Sequence, residues 1–355
     1  MATIGLRPHA GLGTAASRLS QAGRPARVTE ALYCPPAVRD DPALAAVVQQ
    51  RVDEWAAGVG LAPEPAAGLG RLVVLAHPDT HDVGRLAVAA RLLAVGRVLA
   101  GEALGAPQAQ LVRRAPQAGS EAGTESTAAG LAQALDEAIA EVYDGCDVPE
   151  AALPSSPARP DPARAAASTT GAAGDIGDIG AIAAPALLSA MAGLSALPAS
   201  PYQVERVRRE VEALSAAAPG GAGIRPPWEY LSLGHVNAYS PALAALDAVD
   251  GFELSPSWAA DPELRRAQRL AALAAALLHD IAAPGPVGLT AAIARAEGLG
   301  PGAAGRRAAE VHDEAMRAFQ YHATLLASSA DPATRRYLSG LWTWLGGHRT
   351  WHAVS

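Results

Sequence analysis

Two histidine–aspartate clusters contain the residues best suited to chemistry. The segment His77–Asp82 holds two imidazoles and two carboxylates, which together could bind a metal ion. The same segment also suits a helix start, because Pro78 fits a first helical position and Asp79 complements the helix dipole. We favour the helix start, since four neighbouring residues rarely converge on one ion without a distant ligand.

The second cluster is the pair His279 and Asp280, which follows Leu277 and Leu278 in a hydrophobic helical segment. Burying a charge is costly unless the group is paired, so this pair is either a contact between helices or functional. These two residues are our candidates for catalysis. A third group, His312-Asp313-Glu314, lies in an amphipathic helical pattern, which predicts a solvated face.

Several classes of chemistry are excluded by what the sequence lacks. No lysine is present, so all 28 basic residues are arginine, which excludes a Schiff-base lysine and a phosphate-loop lysine. The two cysteines, Cys34 and Cys146, cannot form a disulfide framework or a structural zinc site alone. The net charge of −7 argues against nucleic acid as the main partner.

The elements that must position the candidate residues are predicted to be helices. Hydrophobic residues make up 50% of the chain, which is enough for a sizeable core. Alternating β-strand patterns are almost absent, so we predict an all-α fold. We expect a mobile tail over 1–30, one helical domain over 31–355 and an irregular loop within about 150–182. The predicted helices cover 42–58, 83–100, 131–143, 201–217, 228–249, 261–281, 287–297, 302–329 and 332–346.

The hydropathy of the sequence predicts where the protein is located. No apolar run is long enough to span a membrane. The first 30 residues contain no apolar stretch of signal-peptide length. We therefore predict a cytoplasmic protein without a membrane span.

Several longer segments of the chain resemble one protein family. They are Leu32–Leu44, Gly70–Asp79, Ala199–Val204, Pro227–Leu231, His235–Pro241, Leu246–Leu254, Val311–Glu314, Arg336–Trp344 and Gly346–Ala353. Together these segments resemble the bacterial 2-methylisoborneol synthases, a subgroup of the class I terpene synthases. The resemblance covers nearly all of 32–353, apart from roughly 110–195.

The resemblance implies an α-helical bundle around a central apolar pocket. In this family Mg²⁺ holds a substrate diphosphate at the pocket mouth, and departure of the diphosphate leaves an allylic carbocation that cyclises. Oxygen ligands suit Mg²⁺, and aromatic faces can stabilise a cation. The resemblance places six residues in the pocket or against its ligand: Tyr230, Asn237, Tyr239, Trp342, Arg349 and Trp351.

Two metal-binding motifs implied by the resemblance are incomplete. The aspartate-rich motif retains one carboxylate, Glu102. The second motif, Asn-Asp-x-x-Ser with glutamate four residues later, corresponds to His279–Ala283, with Val287 at the glutamate position. Asp280 is retained, but the ligating asparagine, serine and glutamate are not. Glu102, His279 and Asp280 are thus the remaining weak candidates for metal ligands.

Two further features of the family pattern are also missing. Gly234 stands where the diphosphate-sensing arginine is implied, and no Arg-Tyr pair follows Ala353. The His279 imidazole does not restore the site, because imidazole prefers transition metals to Mg²⁺. We therefore assign no cofactor, and expect Mg²⁺ only if the classical activity survives.

Three functions remain open. The first is a terpene cyclase homologue that has lost Mg²⁺-dependent ionisation, and that binds a terpenoid or other small apolar ligand or partners an active terpene synthase or a second copy. The second is a non-standard cyclase acting on geranyl or 2-methylgeranyl diphosphate. The third is an enzyme for acid-assisted isomerisation or cyclisation of a neutral terpenoid. We favour the first, because all four departures affect the same function.

Overall fold

A computed structural model describes residues 28–100, 174–217 and 225–354. Within these three segments the chain forms fifteen α-helices and no β-strand, which confirms the all-α fold class. The helices are α1 (Val28–Ala31), α2 (Pro42–Gly58), α3 (Pro63–Ala66), α4 (Leu69–Ala76), α5 (Val83–Leu99), α6 (Gly174–Ser195), α7 (Pro201–Ala216), α8 (Pro227–Leu233), α9 (Ser240–Ala244), α10 (Leu246–Asp250), α11 (Pro256–Ala259), α12 (Pro262–Ala282), α13 (Leu289–Glu297), α14 (Pro301–Ser329) and α15 (Pro332–Val354).

Some predictions concern residues outside these segments. Glu102, Cys146 and the predicted helix over 131–143 lie outside the described residues. So does nearly all of the predicted tail, of which the last residues belong to α1. Helix α6 begins at Gly174, inside the segment that was predicted to be irregular.

Local capping explains why several helix starts were predictable. The Asp41 carboxylate accepts a hydrogen bond from the Leu44 amide, and Asp261 caps α12 in the same way. Ser200 forms a reciprocal capping box with Gln203 at the start of α7. In each case a proline follows the cap, where its fixed φ suits the first helical position and its missing N–H costs nothing.

The single helix predicted over 228–249 is wrong, because the chain breaks into α8, α9 and α10. Asn237 fixes the break between α8 and α9. Its side-chain amide donates to the carbonyls of Gly234 and Ala272, and its carbonyl accepts from the Tyr239 amide. The Ala272 contact comes from α12, so a tertiary interaction overrides the helical pattern.

Helix α15 continues past the end predicted at residue 346. Gly346 and Gly347 do not end the helix. Because they lack a side chain, other backbone segments can pack closely against the helix at these two positions. A Cβ atom at Gly346 would lie 2.8 Å from the Pro36 carbonyl oxygen, and one at Gly347 would lie 2.5 Å from the Leu75 carbonyl carbon. The helix therefore runs about two turns further, and these two turns carry part of the candidate site.

The core is built where α12 packs against α14 and α15, while α15 also packs against α4. Its largest fully buried side chains include Trp344, Tyr239, Tyr337 and Phe319. Most of the remaining core is alanine, leucine and valine. Among the described helices, none is both long enough and apolar enough to cross a bilayer.

Residues 77–82 lead into a helix, as the favoured interpretation predicted. The helix begins at Val83, as predicted for 83–100, but Pro78 is not its first residue, because Pro78 and Asp79 lie in the preceding turn. The N-cap of α5 is Asp82, whose carboxylate accepts from the amides of Gly84 and Arg85.

The two histidines of this segment have different partners. The buried His77 Nδ1 lies 2.8 Å from an Asp250 oxygen that also accepts from the Thr80 hydroxyl. His81 instead contacts the Arg39 guanidinium. Burial alone would raise the pKa of Asp250, but His77 and Thr80 together with a nearby arginine lower it overall. These contacts make the segment a structural junction.

Candidate functional site

Three histidine side chains converge where the end of α12 meets the last turns of α15. His279 Nδ1 lies 3.4 Å from His352 Nε2, and His352 Nε2 lies 3.1 Å from His348 Nε2. One nitrogen from each ring lies within 4.8 Å of the other two. We call these three residues the imidazole cluster.

The imidazole cluster is largely removed from solvent. His348 is completely buried, His352 is 9% exposed and His279 is half-buried. Burial, reinforced by the Arg97 charge, lowers the pKa of His279 to about 4. Burial, His279 and Arg97 lower the pKa of His352 to about 3. Burial also holds the pKa of His348 well below its usual range. All three rings are therefore neutral near pH 7, the form in which imidazole binds metals.

Aromatic rings surround the imidazole cluster. The Tyr239 ring centroid lies 4.6 Å from that of His348, and the Trp351 centroid lies 4.6 Å from that of His352. Trp351 also donates through its indole N–H to the Gly68 carbonyl oxygen, 2.9 Å away. These contacts restrict the rotamers of the histidines.

Arg97 places a positive charge beside this aromatic shell. Its guanidinium carbon lies 5.2 Å from the centroid of the Trp351 ring, and the group donates to the Pro65 carbonyl oxygen at 3.2 Å. Arg97 therefore adds one positive charge at the edge of an otherwise uncharged group of rings.

Asp280 takes part in different contacts from its neighbour His279. Its Oδ2 accepts from both the amide and the hydroxyl of Thr290, each at 2.7 Å. Its Oδ1 lies against the backbone of Gly288, since a Cβ there would come within 2.1 Å. Burial raises the pKa of Asp280, and the two Thr290 hydrogen bonds partly oppose this. Asp280 therefore links the end of α12 to the start of α13.

The other predicted pocket residues separate into two groups. Tyr230 accepts a hydrogen bond from the Gly288 amide in the α12–α13 connection, and Asn237 fixes the turn described above. Trp342 stacks on Phe319 with centroids 6.2 Å apart. Arg349 lies near Cys34. Burial raises the pKa of the Cys34 thiol to about 12, and the positive charge of Arg349 partly opposes this shift.

Trp342 and Arg349 lie on other sides of α15 from His348. At about 100° per residue, each is roughly 100° or more around the helix from His348. The structure brings Tyr239, His279 and Trp351 together around His348 and His352. Trp342 contacts the rings of Tyr33 and Phe319.

The prediction of a solvated face at His312-Asp313-Glu314 is wrong for His312, which is fully buried. Its Nδ1 lies 3.1 Å from an Asp313 oxygen that also accepts from the Tyr33 amide. Glu314 is exposed as predicted. The segment therefore anchors the start of the described chain to α14.

Sequence reasoning missed His348 and His352 as site residues. Their spacing of four residues puts them on one face of a helix, which was the available signal. That signal was lost because the helix was predicted to end at Gly346. Their pairing with His279, 69 and 73 positions earlier, has no local signature.

The described fold is that of the class I terpene synthases. The crystal structure of 2-methylisoborneol synthase from Streptomyces coelicolor A3(2), in complex with Mg²⁺ and geranyl-S-thiolodiphosphate, is 26% identical with a TM-score of 0.65. The match covers 91% of this chain and 95% of that chain.

Sequence relatives with known names support the same class. A 2-methylisoborneol synthase from Saccharopolyspora erythraea is 30% identical over 345 residues, covering 91% of this chain and 88% of the relative. One from Streptomyces ambofaciens is 28% identical, covering 99% and 79%. No family model matches the chain. The chain belongs to the 2-methylisoborneol synthase family.

The Mg²⁺ of this family does not fit the described residues of the second metal motif. Where the resemblance implies an amide oxygen, this chain has His279, whose imidazole offers nitrogen. The retained Asp280 has one oxygen occupied by two hydrogen bonds from Thr290. Mg²⁺ requires oxygen ligands in octahedral geometry, and nitrogen clusters suit transition metals instead.

Proposed function

We propose that this protein is a terpene-cyclase-like protein that binds a neutral terpenoid and no longer catalyses Mg²⁺-dependent ionisation of an allylic diphosphate. The observation that carries the proposal is the exchange of donor atoms at the end of α12. There, His279 faces two other imidazoles, and Asp280 faces Thr290.

Ionisation depends on stabilising the departing diphosphate. Metal ions and cationic side chains must neutralise its charge as the carbon–oxygen bond breaks. Each loss of about 1.4 kcal/mol of this stabilisation slows the reaction roughly tenfold. The departures at His279 and at Val287 remove oxygen ligands from one metal motif, so a loss of several orders of magnitude is expected.

Gly234 supports the same conclusion from a second location. The resemblance implies an arginine there, which would sense the diphosphate. In this chain a Cβ at Gly234 would lie 2.3 Å from the Tyr230 carbonyl oxygen and 2.7 Å from a Leu273 methyl carbon. A side chain of any length therefore requires the α8–α9 turn to move.

The chemistry of the surrounding rings indicates the ligand class. The imidazole cluster is neutral near pH 7, and Tyr239, Trp344 and Trp351 present uncharged aromatic surfaces. Uncharged aromatic rings of this kind favour contact with an uncharged, mostly apolar molecule with one polar group, such as a monoterpene alcohol. Acid-assisted chemistry is disfavoured, because a histidine of pKa about 4 is not in its acidic imidazolium form at neutral pH. The other candidate, Asp280, accepts two hydrogen bonds from Thr290.

Product analysis tests the proposal. The purified protein is incubated with Mg²⁺ and, separately, geranyl, 2-methylgeranyl and farnesyl diphosphate, and the products are analysed by gas chromatography–mass spectrometry. The Streptomyces coelicolor relative serves as positive control. We expect no cyclic product at catalytic turnover while circular dichroism shows a helical protein. Turnover to a cyclic product would contradict the proposal.

Ligand binding is tested separately with geraniol and borneol as probes. Tryptophan fluorescence should change saturably with either alcohol, because Trp344 and Trp351 lie beside the imidazole cluster. A matched titration with geranyl diphosphate should give a weaker response. No saturable change with either alcohol would overturn the terpenoid-binding part of the proposal.

A further inference from the structure

We propose that His279, His348 and His352 form a binding site for a transition-metal ion, and that Zn²⁺ is the ion whose coordination the site fits best. The site differs from the family's Mg²⁺ motifs in donor atom, since all three ligands are nitrogens. It also differs in position along the chain, because two of the ligands come from α15. The inference does not depend on the proposed function.

The distances between the imidazoles suit a tetrahedral ion. Two nitrogens that each lie about 2.0–2.1 Å from tetrahedral zinc are separated by roughly 3.4 Å. The pair His279–His352 is separated by 3.4 Å and the pair His352–His348 by 3.1 Å. The nitrogens of the third pair, His279 and His348, lie within 4.8 Å of each other. An ion among the three nitrogens therefore needs that pair to approach by at most roughly 1.4 Å.

The ligands are held in place before an ion binds. His348 and His352 are one helical turn apart on α15, a spacing that also supplies the two zinc-binding histidines of helical His-x-x-x-His motifs. His279 comes from the last turn of α12, which packs directly against α15. Tyr239 and Trp351 pack against the rings and limit their rotation.

The donor set determines which ions the site accepts. Neutral imidazoles favour Zn²⁺, Co²⁺ and Ni²⁺ over Mg²⁺ and Ca²⁺, which need oxygen. Three protein ligands leave the fourth tetrahedral position open for an exogenous ligand. Because all three histidines are neutral and Arg97 adds a positive charge at the edge of the site, an anion such as hydroxide is expected in that position.

Metal binding to the full chain, purified without a histidine tag and stripped with a chelator, tests the inference. Isothermal titration with Zn²⁺ should give one tightly bound ion per chain. Co²⁺ should give the intense visible absorption of a tetrahedral complex, and Zn²⁺ should displace it. Failure to bind one Zn²⁺ per chain, or a weak octahedral Co²⁺ spectrum, would overturn the inference.

Single substitutions link the ion to these residues. The variants H279N and H352Q each remove one ligand and should weaken Zn²⁺ binding by about a hundredfold or more. The matched control is H322Q, since His322 lies on α14 and pairs with Glu263 outside the cluster. H322Q should bind Zn²⁺ like the unaltered chain.

Circular dichroism must show that each variant remains helical. If H352Q unfolds, H279N carries the test, because His279 is only half-buried. Undiminished Zn²⁺ binding by a folded H279N variant would overturn the assignment. Cyclisation activity with Mg²⁺ alone would overturn the proposed function and leave the zinc assignment intact, so the two failures are distinguishable.

Discussion

The close contact between α15 and α4 makes Gly347→Ala a sensitive test of the fold. A Cβ at this position would lie 2.5 Å from the Leu75 carbonyl carbon and 2.6 Å from the Ala76 amide nitrogen. Favourable carbon–carbon contacts are about 3.5–4.0 Å, so the overlap is roughly 1 Å. Both partners are backbone atoms, and relief therefore requires one helix to move away from the other.

The expected cost follows from two opposing effects. Overpacking a well-filled interior costs about 1–3 kcal/mol, and a backbone clash belongs at the upper end of that range. Alanine gains about 1 kcal/mol over glycine within a helix. The free energy of unfolding of G347A should therefore fall by about 2 kcal/mol.

Gly305→Ala is the matched control for this prediction. Gly305 lies within α14, and a Cβ there would meet nothing within 4 Å. This variant should be more stable by about 0.5–1 kcal/mol through helix propensity alone. Urea unfolding followed by circular dichroism measures both variants, provided that the m-values agree. If G347A were as stable as G305A, the close approach of α15 to α4 would be refuted.

Two further predictions concern partly buried carboxylates. Asp250→Asn should cost about 2 kcal/mol at pH 7. The pKa of Asp250 is lower in the folded protein than in the unfolded chain. The Asp250 carboxylate therefore stabilises the folded protein above the unfolded pKa of about 3.9, and this stabilisation is lost as the pH falls through the folded pKa. Urea unfolding at pH 7 and pH 3 should show the difference shrinking, and a pH-independent difference would contradict this linkage. Thr290→Val removes the hydroxyl bonded to Asp280 and should cost about 1–3 kcal/mol. Thr324→Val, at an exposed position, should change stability by less than about 0.5 kcal/mol, and equal effects of the two variants would show that Asp280 does not depend on Thr290.

Features specified by neighbouring residues were predictable from the sequence. The helix over 42–58 was predicted with its observed bounds, and α7, α12, α13 and α14 were predicted to within one or two residues. Asp41-Pro42 and Asp261-Pro262 supply both the cap and the first helical residue, so little tertiary information is needed.

Features that depend on distant contacts were not predictable in this way. The break after α8 is fixed by Asn237 through a carbonyl on α12. Gly346 and Gly347 were interpreted as a helix end because a local pattern does not show that other backbone segments pack against them. His279 was identified as a candidate, but its partners lie on a helix whose last two turns had been missed.

The central claim is that the protein has lost Mg²⁺-dependent recognition of an allylic diphosphate. Geranyl-S-thiolodiphosphate, an analogue present in the structure of the Streptomyces coelicolor relative with Mg²⁺, measures this recognition without requiring turnover. Isothermal titration compares its affinity for this protein with and without saturating Mg²⁺. We predict the same affinity in both conditions, within about twofold. Binding that tightens by about tenfold or more with Mg²⁺, equivalent to 1.4 kcal/mol, would contradict the account.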